Sequence, residues 1–147
     1  MIPAFRSAQN PSQWALEFIR LVMLLLCLVG WVMYPVELLL LDHWTESWQS
    51  KIPFLVAVPG FLFTLWVLFD RKTPWVRWAF ILTMWASVLT GVLGAYFHLL
   101  WNAQDAEVSL WSLKGFLEAF EGSRPVLAAL AFTHMGVTGL LAIYRAR

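Results

Sequence analysis

Charged side chains are scarce in this chain: 13% of its residues are Asp, Glu, Lys or Arg, against 61% that are hydrophobic. A water-soluble domain carries roughly a quarter charged residues. The apolar excess must therefore face something other than its own core, and lipid is the candidate solvent. Net charge is only +1, which removes the electrostatic case for nucleic acid or for an acidic partner. Cysteine is nearly missing too. Cys27 stands alone, so an internal disulfide and a CxxC metal or redox motif are both excluded. Set in an apolar run, it reads as a small hydrophobe. There is no glycine-rich phosphate loop, no HExxH and no recognisable nucleophile–base arrangement. Leu26, rather than a small residue, precedes Cys27, and no A-x-A-like cleavage site follows the first hydrophobic run. That run is expected to be retained. No internal repeat is evident.

What the chain does have is long apolar runs. A helix needs about 20 mainly apolar residues to cross a hydrocarbon core. Four segments qualify: 21–41, with Glu37 its one charge; 52–69, uncharged between Lys51 and Asp70; 78–101, with the ionisable His98; and 125–144, with His134. The length suits a single domain over 1–147. The expected fold is all-α, an integral membrane four-helix bundle. Asn10-Pro11 and Thr73-Pro74 read as N-caps followed by proline at the first helical position, and Ser123 with Pro125 resembles them. Pro35 and Pro59-Gly60 predict interior breaks. Between the third and fourth runs, Leu110, Leu113, Leu117 and Phe120 recur at helical spacing opposite Lys114, Glu118 and Glu121, before Gly122. This predicts a short amphipathic helix over 109–121, lying on the outer membrane surface or capping the bundle.

Basic residues set the orientation. Arg6, Arg20, Arg71, Lys72, Arg77, Arg145 and Arg147 fall on one side, against Lys51, Lys114 and Arg124 on the other. The excess places both termini in the cytoplasm, in a multi-pass protein of the cytoplasmic membrane. Most acids lie opposite, and Trp14, Trp44, Trp48, Trp75, Trp78, Trp101 and Trp111 fall near the interfaces as an aromatic belt.

Polar groups at membrane depth are costly, so chemistry is sought there first. Ser87, Gly91, Gly94 and Ala95 make a small-residue face on the third span, read as helix packing. Thr90, His98 and Asn102 follow along it. His98 lies roughly 4–5 Å and Glu37 roughly 6 Å inside the outer end of their spans at helical rise. Their matching depth predicts a Glu37–His98 contact, direct or through water. Glu37, His43, Glu46 and His98 together offer oxygen and imidazole ligands for a metal ion, with a wet rim around one hydrogen-bonded pair as the plainer reading. His134 lies roughly 13–14 Å from the outer end. That depth disfavours a haem ligated by His98 and His134 together. It leaves a single axial histidine to haem or a chlorophyll-type pigment, or an imidazole bonded to a neighbouring helix near Thr133 or Thr138.

His43-Trp44 after the first span, Gln49 and Pro53 opening the second, Gly94-Ala95-Tyr96-Phe97-His98 with Asn102 closing the third, and Gly122 with Pro125 before the fourth form a set. In these features the chain resembles a group of small four-span bacterial membrane proteins of unassigned function. The resemblance covers most of the chain, implies no activity, and adds weight to the outer polar cluster.

Two functions follow as expectations. The first is a non-catalytic accessory or scaffolding subunit, with the lipid bilayer and other membrane subunits, or further copies of itself, as partners. The alternative is a protein binding a metal ion or tetrapyrrole through the outer Glu and His or through His134. An enzyme or assembly factor using the outer His and Glu as acid and base is a third, weaker reading.

Overall fold

The computed structural model describes residues 10–144. Arg6, Arg145 and Arg147 of the orientation count lie outside them. Among the described residues every regular element is helical: α1 (Pro11–Leu40), α2 (His43–Glu46), a 3-10 turn (Gln49–Lys51), α3 (Ile52–Phe69), α4 (Pro74–Asp105), α5 (Leu113–Phe120) and α6 (Val126–Ala142). The Asn10 side chain accepts from the Gln13 amide at 2.9 Å, and Pro11 takes the first helical position. At α4, Thr73 holds the cap position, but its hydroxyl donates to Asp70 at 2.6 Å instead of capping the helix.

Three stretches are long and apolar enough to cross a membrane: Pro11–Leu40, Gln49–Phe69 and Pro74–Asp105. The fourth expected span is a shorter apolar helix of 17 residues. At about 1.5 Å per residue it is roughly 26 Å long, slightly under a typical hydrocarbon core. Apolar side chains cover the exterior. Leu26, Leu55, Leu82 and Trp85 each leave more than half of their surface exposed.

Neither expected break interrupts a helix. α1 runs through Pro35, and α3 runs through Pro59. Proline removes one amide donor, but its φ is helical and the flanking bonds persist. Near Pro59 a side-chain relay secures the backbone. Trp31 Nε1 donates to Thr64 Oγ1 at 3.0 Å, and that hydroxyl donates to the Gly60 carbonyl at 2.6 Å. A Cβ at Gly60 would collide with the Trp31 indole, so glycine is what lets the two helices meet.

The four main helices form a ring, α1–α3–α4–α6, with α6 closing back on α1. Thus α1 stands across the ring from α4. The α4–α6 contact is the most extensive. Ser87 Oγ donates to the Phe132 carbonyl at 2.7 Å, and Thr133 Oγ1 donates to the Val88 carbonyl at 3.1 Å. A Cβ on Gly91 would lie 2.5 Å from the Thr133 amide nitrogen, and one on Gly136 would lie 2.5 Å from the Met84 carbonyl oxygen. Leu24, Cys27, Trp31, Val67, Phe80, Met84, Phe132 and Met135 fill the centre.

Polar contacts fix which segments share an end. At one end Glu17 accepts from Arg20 at 2.5 Å and from Arg71 at 2.6 Å. Arg20 Nη2 donates to the Tyr144 carbonyl at 2.8 Å, and Arg77 Nη2 to the Ile143 carbonyl at 3.3 Å. Two arginines thereby satisfy carbonyls left open at the C-terminus of α6, where the helix dipole also favours cations. The start of α1, the α3–α4 turn and the end of α6 are therefore together, in an up-and-down arrangement.

At the opposite end, α5 is shorter than the expected 109–121. Ser112 caps it by accepting from the Gly115 amide at 3.0 Å, and the preceding residues turn around Ser109. Its small side, Gly115 and Ala119, is buried. Leu113, Phe116, Leu117 and Phe120 remain exposed, and so does Trp111 beside them, at 99% of its surface.

Candidate functional site

Three helical stripes converge at the α5 end. Tyr34, Glu37, Leu38 and Leu41 recur at helical spacing along α1. Thr90, Leu93, Gly94, Phe97, His98 and Trp101 do so along α4, and Ala128, Ala129 and Phe132 along α6. Together with the 43–53 connection they line one cavity of about 360 Å³, within the size range of small-molecule sites. Its deep walls are apolar. Its ionisable groups are Tyr34, Glu37, His43, Glu46, His98 and Arg124, with Gln49, Thr90 and Ser123 as neutral polar neighbours.

All four residues expected to offer metal ligands thus face one space, yet they do not form a coordination cluster. Among the described residues no group of three or more His, Cys, Asp or Glu is placed to hold a metal ion. The reason is visible in their bonds. His43 Nδ1 pairs with Glu46 at 2.8 Å, while His98 Nδ1 lies 3.1 Å from the Pro125 carbonyl. The two rings meet edge to face, with centroids 6.2 Å apart. The Glu37 carboxyl group has no hydrogen-bond or ion-pair partner among the described residues, although its backbone carbonyl accepts from the Leu41 amide. The expected Glu37–His98 contact is therefore replaced by a shared cavity, with His98 held from the α6 side.

These bonds set the tautomers. A backbone carbonyl only accepts, so His98 Nδ1 carries the proton and a neutral ring keeps its Nε2 lone pair. His43, donating through Nδ1 to Glu46, is in the same state when neutral. Arg124 is already engaged: it pairs with Asp105 and lies over the Trp101 ring at 5.7 Å. Beside the side chains of Tyr34, Gln49 and Thr90, the cavity thus presents two imidazole nitrogens as acceptors and the carboxyl groups of Glu37 and Glu46.

Asn102 is engaged within the chain. Buried to 2% exposure, its amide nitrogen donates to the Ala119 and Arg124 carbonyls, each at 2.9 Å, and its oxygen accepts from the Arg124 amide at 3.0 Å. It fastens α5 and the approach to α6 onto α4. Ser87, Gly91 and Ala95 are buried, and a Cβ on Gly94 would lie 3.1 Å from Ala129. The small-residue face is used within the chain.

His134 stands apart. It is exposed on the outside of α6, and its ring has no hydrogen-bond partner among the described residues. Thr138 donates to its backbone carbonyl at 2.8 Å, and Thr133 turns to α4 instead. His98 and His134 lie on different sides of the bundle wall, so one haem cannot take both. Sequence reading missed the Glu17–Arg20–Arg71 cluster, whose only signal was the count of basic residues.

Comparison with family models, with characterised proteins and with solved structures finds no match to the chain.

Proposed function

We propose that the chain is a four-span protein of the cytoplasmic membrane whose outward cavity binds a small molecule with an apolar body and a cationic, hydrogen-donating head. The apolar exterior of three long helices supports insertion, and α6 completes the bundle with modest local thinning of the bilayer. Basic residues at the Arg20–Arg71–Arg77 end favour the cytoplasmic side there, which turns the cavity outward. One observation carries the ligand class: Glu37 faces an apolar-walled cavity without a partner, beside two histidines whose Nδ1 atoms are already bound. A carboxylate in such surroundings gains most from a cation that brings its own donors.

Calorimetric titration of the purified protein with phenethylamine, and with phenethyl alcohol as the neutral counterpart, tests this. The amine binds, the alcohol binds more weakly, and Glu37→Gln weakens the amine by roughly tenfold or more, the worth of one charge-assisted hydrogen bond. Equal binding of amine and alcohol would remove the cationic ligand class. A stoichiometric metal in the purified protein would favour the metal reading.

His134 supports a second reading, an accessory subunit. An imidazole on the lipid face is costly unless covered, and a partner helix or the metal of a tetrapyrrole would cover it. Purification in mild detergent followed by a visible spectrum tests this. The reading predicts a co-purifying chain or pigment that His134→Leu removes. A colourless, unaccompanied wild-type protein contradicts it.

A further inference from the structure

At the end of the bundle opposite the cavity, the Arg71 side chain is nine-tenths buried, at 10% exposure. Its Nη1 is committed to Glu17 at 2.6 Å. Its Nε and Nη2 are buried and have no hydrogen-bond partner. These two nitrogens form one edge of the guanidinium, with parallel N–H bonds spaced to meet two oxygens of one anion. Leaving both unpaired in a buried setting is costly.

The local charge balance points the same way. Glu17 is shared between Arg20 and Arg71, so one carboxylate serves two guanidinium groups. Arg77 adds a third positive charge from α4, directed at the α6 terminus. The Tyr144 carbonyl that Arg20 caps is neutral and cancels no charge. Asp70, at the level where α3 ends, is engaged by Thr73 and the Lys72 amide, so among the described residues Glu17 is the one carboxylate bonded to the Arg20 and Arg71 guanidinium groups. In the bilayer orientation argued above, that level is the headgroup layer of the cytoplasmic leaflet.

We propose that the Nε–Nη2 edge of Arg71 is a phosphate-binding site, taken by the phosphodiester of an anionic phospholipid. The edge opens to admit two phosphate oxygens, and the neighbouring Arg20 adds to the positive field. Free phosphate has the same recognition chemistry, but the position beside the hydrocarbon adds acyl-chain contact that only a lipid provides. The site is independent of the cavity and of what the cavity holds.

Native mass spectrometry of the full chain, released from mixed micelles with equal phosphatidylglycerol and phosphatidylcholine, tests the proposal. Wild-type protein retains phosphatidylglycerol preferentially. Arg71→Lys keeps the charge and loses the two-pronged edge, and it retains about tenfold less, the worth of the second charge-assisted bond. Lys72→Gln removes one neighbouring positive charge without touching the edge, and it retains as much as wild type. Millimolar inorganic phosphate leaves retention unchanged. Equal retention of the two lipids, an unaffected Arg71→Lys protein, or displacement by inorganic phosphate would each overturn the assignment to a lipid. Should Arg71→Lys not fold, the lipid preference of the wild type and its resistance to phosphate decide the matter alone.

Discussion

Asn102 and Arg124 hold each other through amide groups. The Asn102 side chain donates to the Arg124 carbonyl at 2.9 Å and accepts from the Arg124 amide at 3.0 Å. A third bond, to the Ala119 carbonyl, ties in the end of α5. Gly122 packs so closely on Asn102 that an added Cβ would overlap it. One buried side chain thus sets the height and direction at which α6 starts, and so the position of the Pro125 carbonyl that holds His98. Asn102→Ala leaves backbone groups unsatisfied and is expected to cost about 2–3 kcal/mol. It should also release the α5 cap. Thermal unfolding in detergent, with limited proteolysis of residues 106–124, measures both effects. An unchanged midpoint and cleavage pattern would show that the latch carries no weight.

The α4–α6 seam depends on glycine at two facing places. Gly91→Leu and Gly136→Leu each drive a side chain into backbone about 2.5 Å away, at Thr133 and Met84 respectively. Each should cost at least about 3 kcal/mol, at the upper end of overpacking. Gly94→Ala meets only the Ala129 methyl, at 3.1 Å, and should be far milder. Comparing the three variants by unfolding in one detergent gives the order. A Gly94→Ala protein as damaged as Gly91→Leu would contradict the packing described.

Asp70, in the turn between α3 and α4, has its carboxyl held below the ordinary carboxylate value of 3.8, first by the Thr73 hydroxyl and then by the Thr73 and Lys72 amides. A lowered folded-state value stabilises the ionised form. Its contribution is complete above the unfolded value and disappears as pH falls through the folded one. The stability difference between wild type and Asp70→Asn should be constant at neutral pH and shrink below about pH 4. A difference that grows as pH falls would reverse the assigned sign.

Trp111, Leu113 and Leu117 stand exposed beside the docked side of α5. In the orientation proposed above, this apolar row lies in the outer leaflet. With the other nine tryptophans of the ten replaced by phenylalanine, Trp111 fluorescence should be quenched by lipids brominated near the headgroup. Quenching by aqueous acrylamide alone would place α5 away from the lipid.

Much of this arrangement is legible in the sequence, and the exceptions share a cause. Ser87, Gly91 and Gly94 announce a packing face because small side chains at helical spacing have few other uses. Depth is legible too, since helical rise converts residue number to height. That is how Glu37 and His98 are brought to one level. Height does not give direction around the bundle, however. α1 stands across the ring from α4, so the two residues face a common space, while the Pro125 carbonyl before α6 accepts the hydrogen bond from His98 Nδ1. The role of Asn102 is not legible for the same reason: the carbonyls that satisfy it belong to segments whose backbone course no pattern in the sequence specifies. The Glu17–Arg71 pair joins residues 54 positions apart, and sequence shows only that both carry charge. Prolines 35 and 59 misled in the other direction, because a long helix whose inner side is packed tolerates the loss of one amide bond.

The cavity and the arginine cluster acquire their proposed roles only if they open on opposite sides of a membrane. Cys27 is buried, at 1% exposure, and gives little background for thiol labelling. The decisive measurement is therefore the reaction of Ser123→Cys, at the cavity wall, and of Lys72→Cys, in the α3–α4 turn, with a membrane-impermeant thiol reagent in intact cells. Ser123→Cys should react at once and be protected by the amine ligand, while Lys72→Cys should react only after the membrane is permeabilised. Labelling of Lys72→Cys in intact cells, with Ser123→Cys silent, would contradict the orientation and the outward binding site with it.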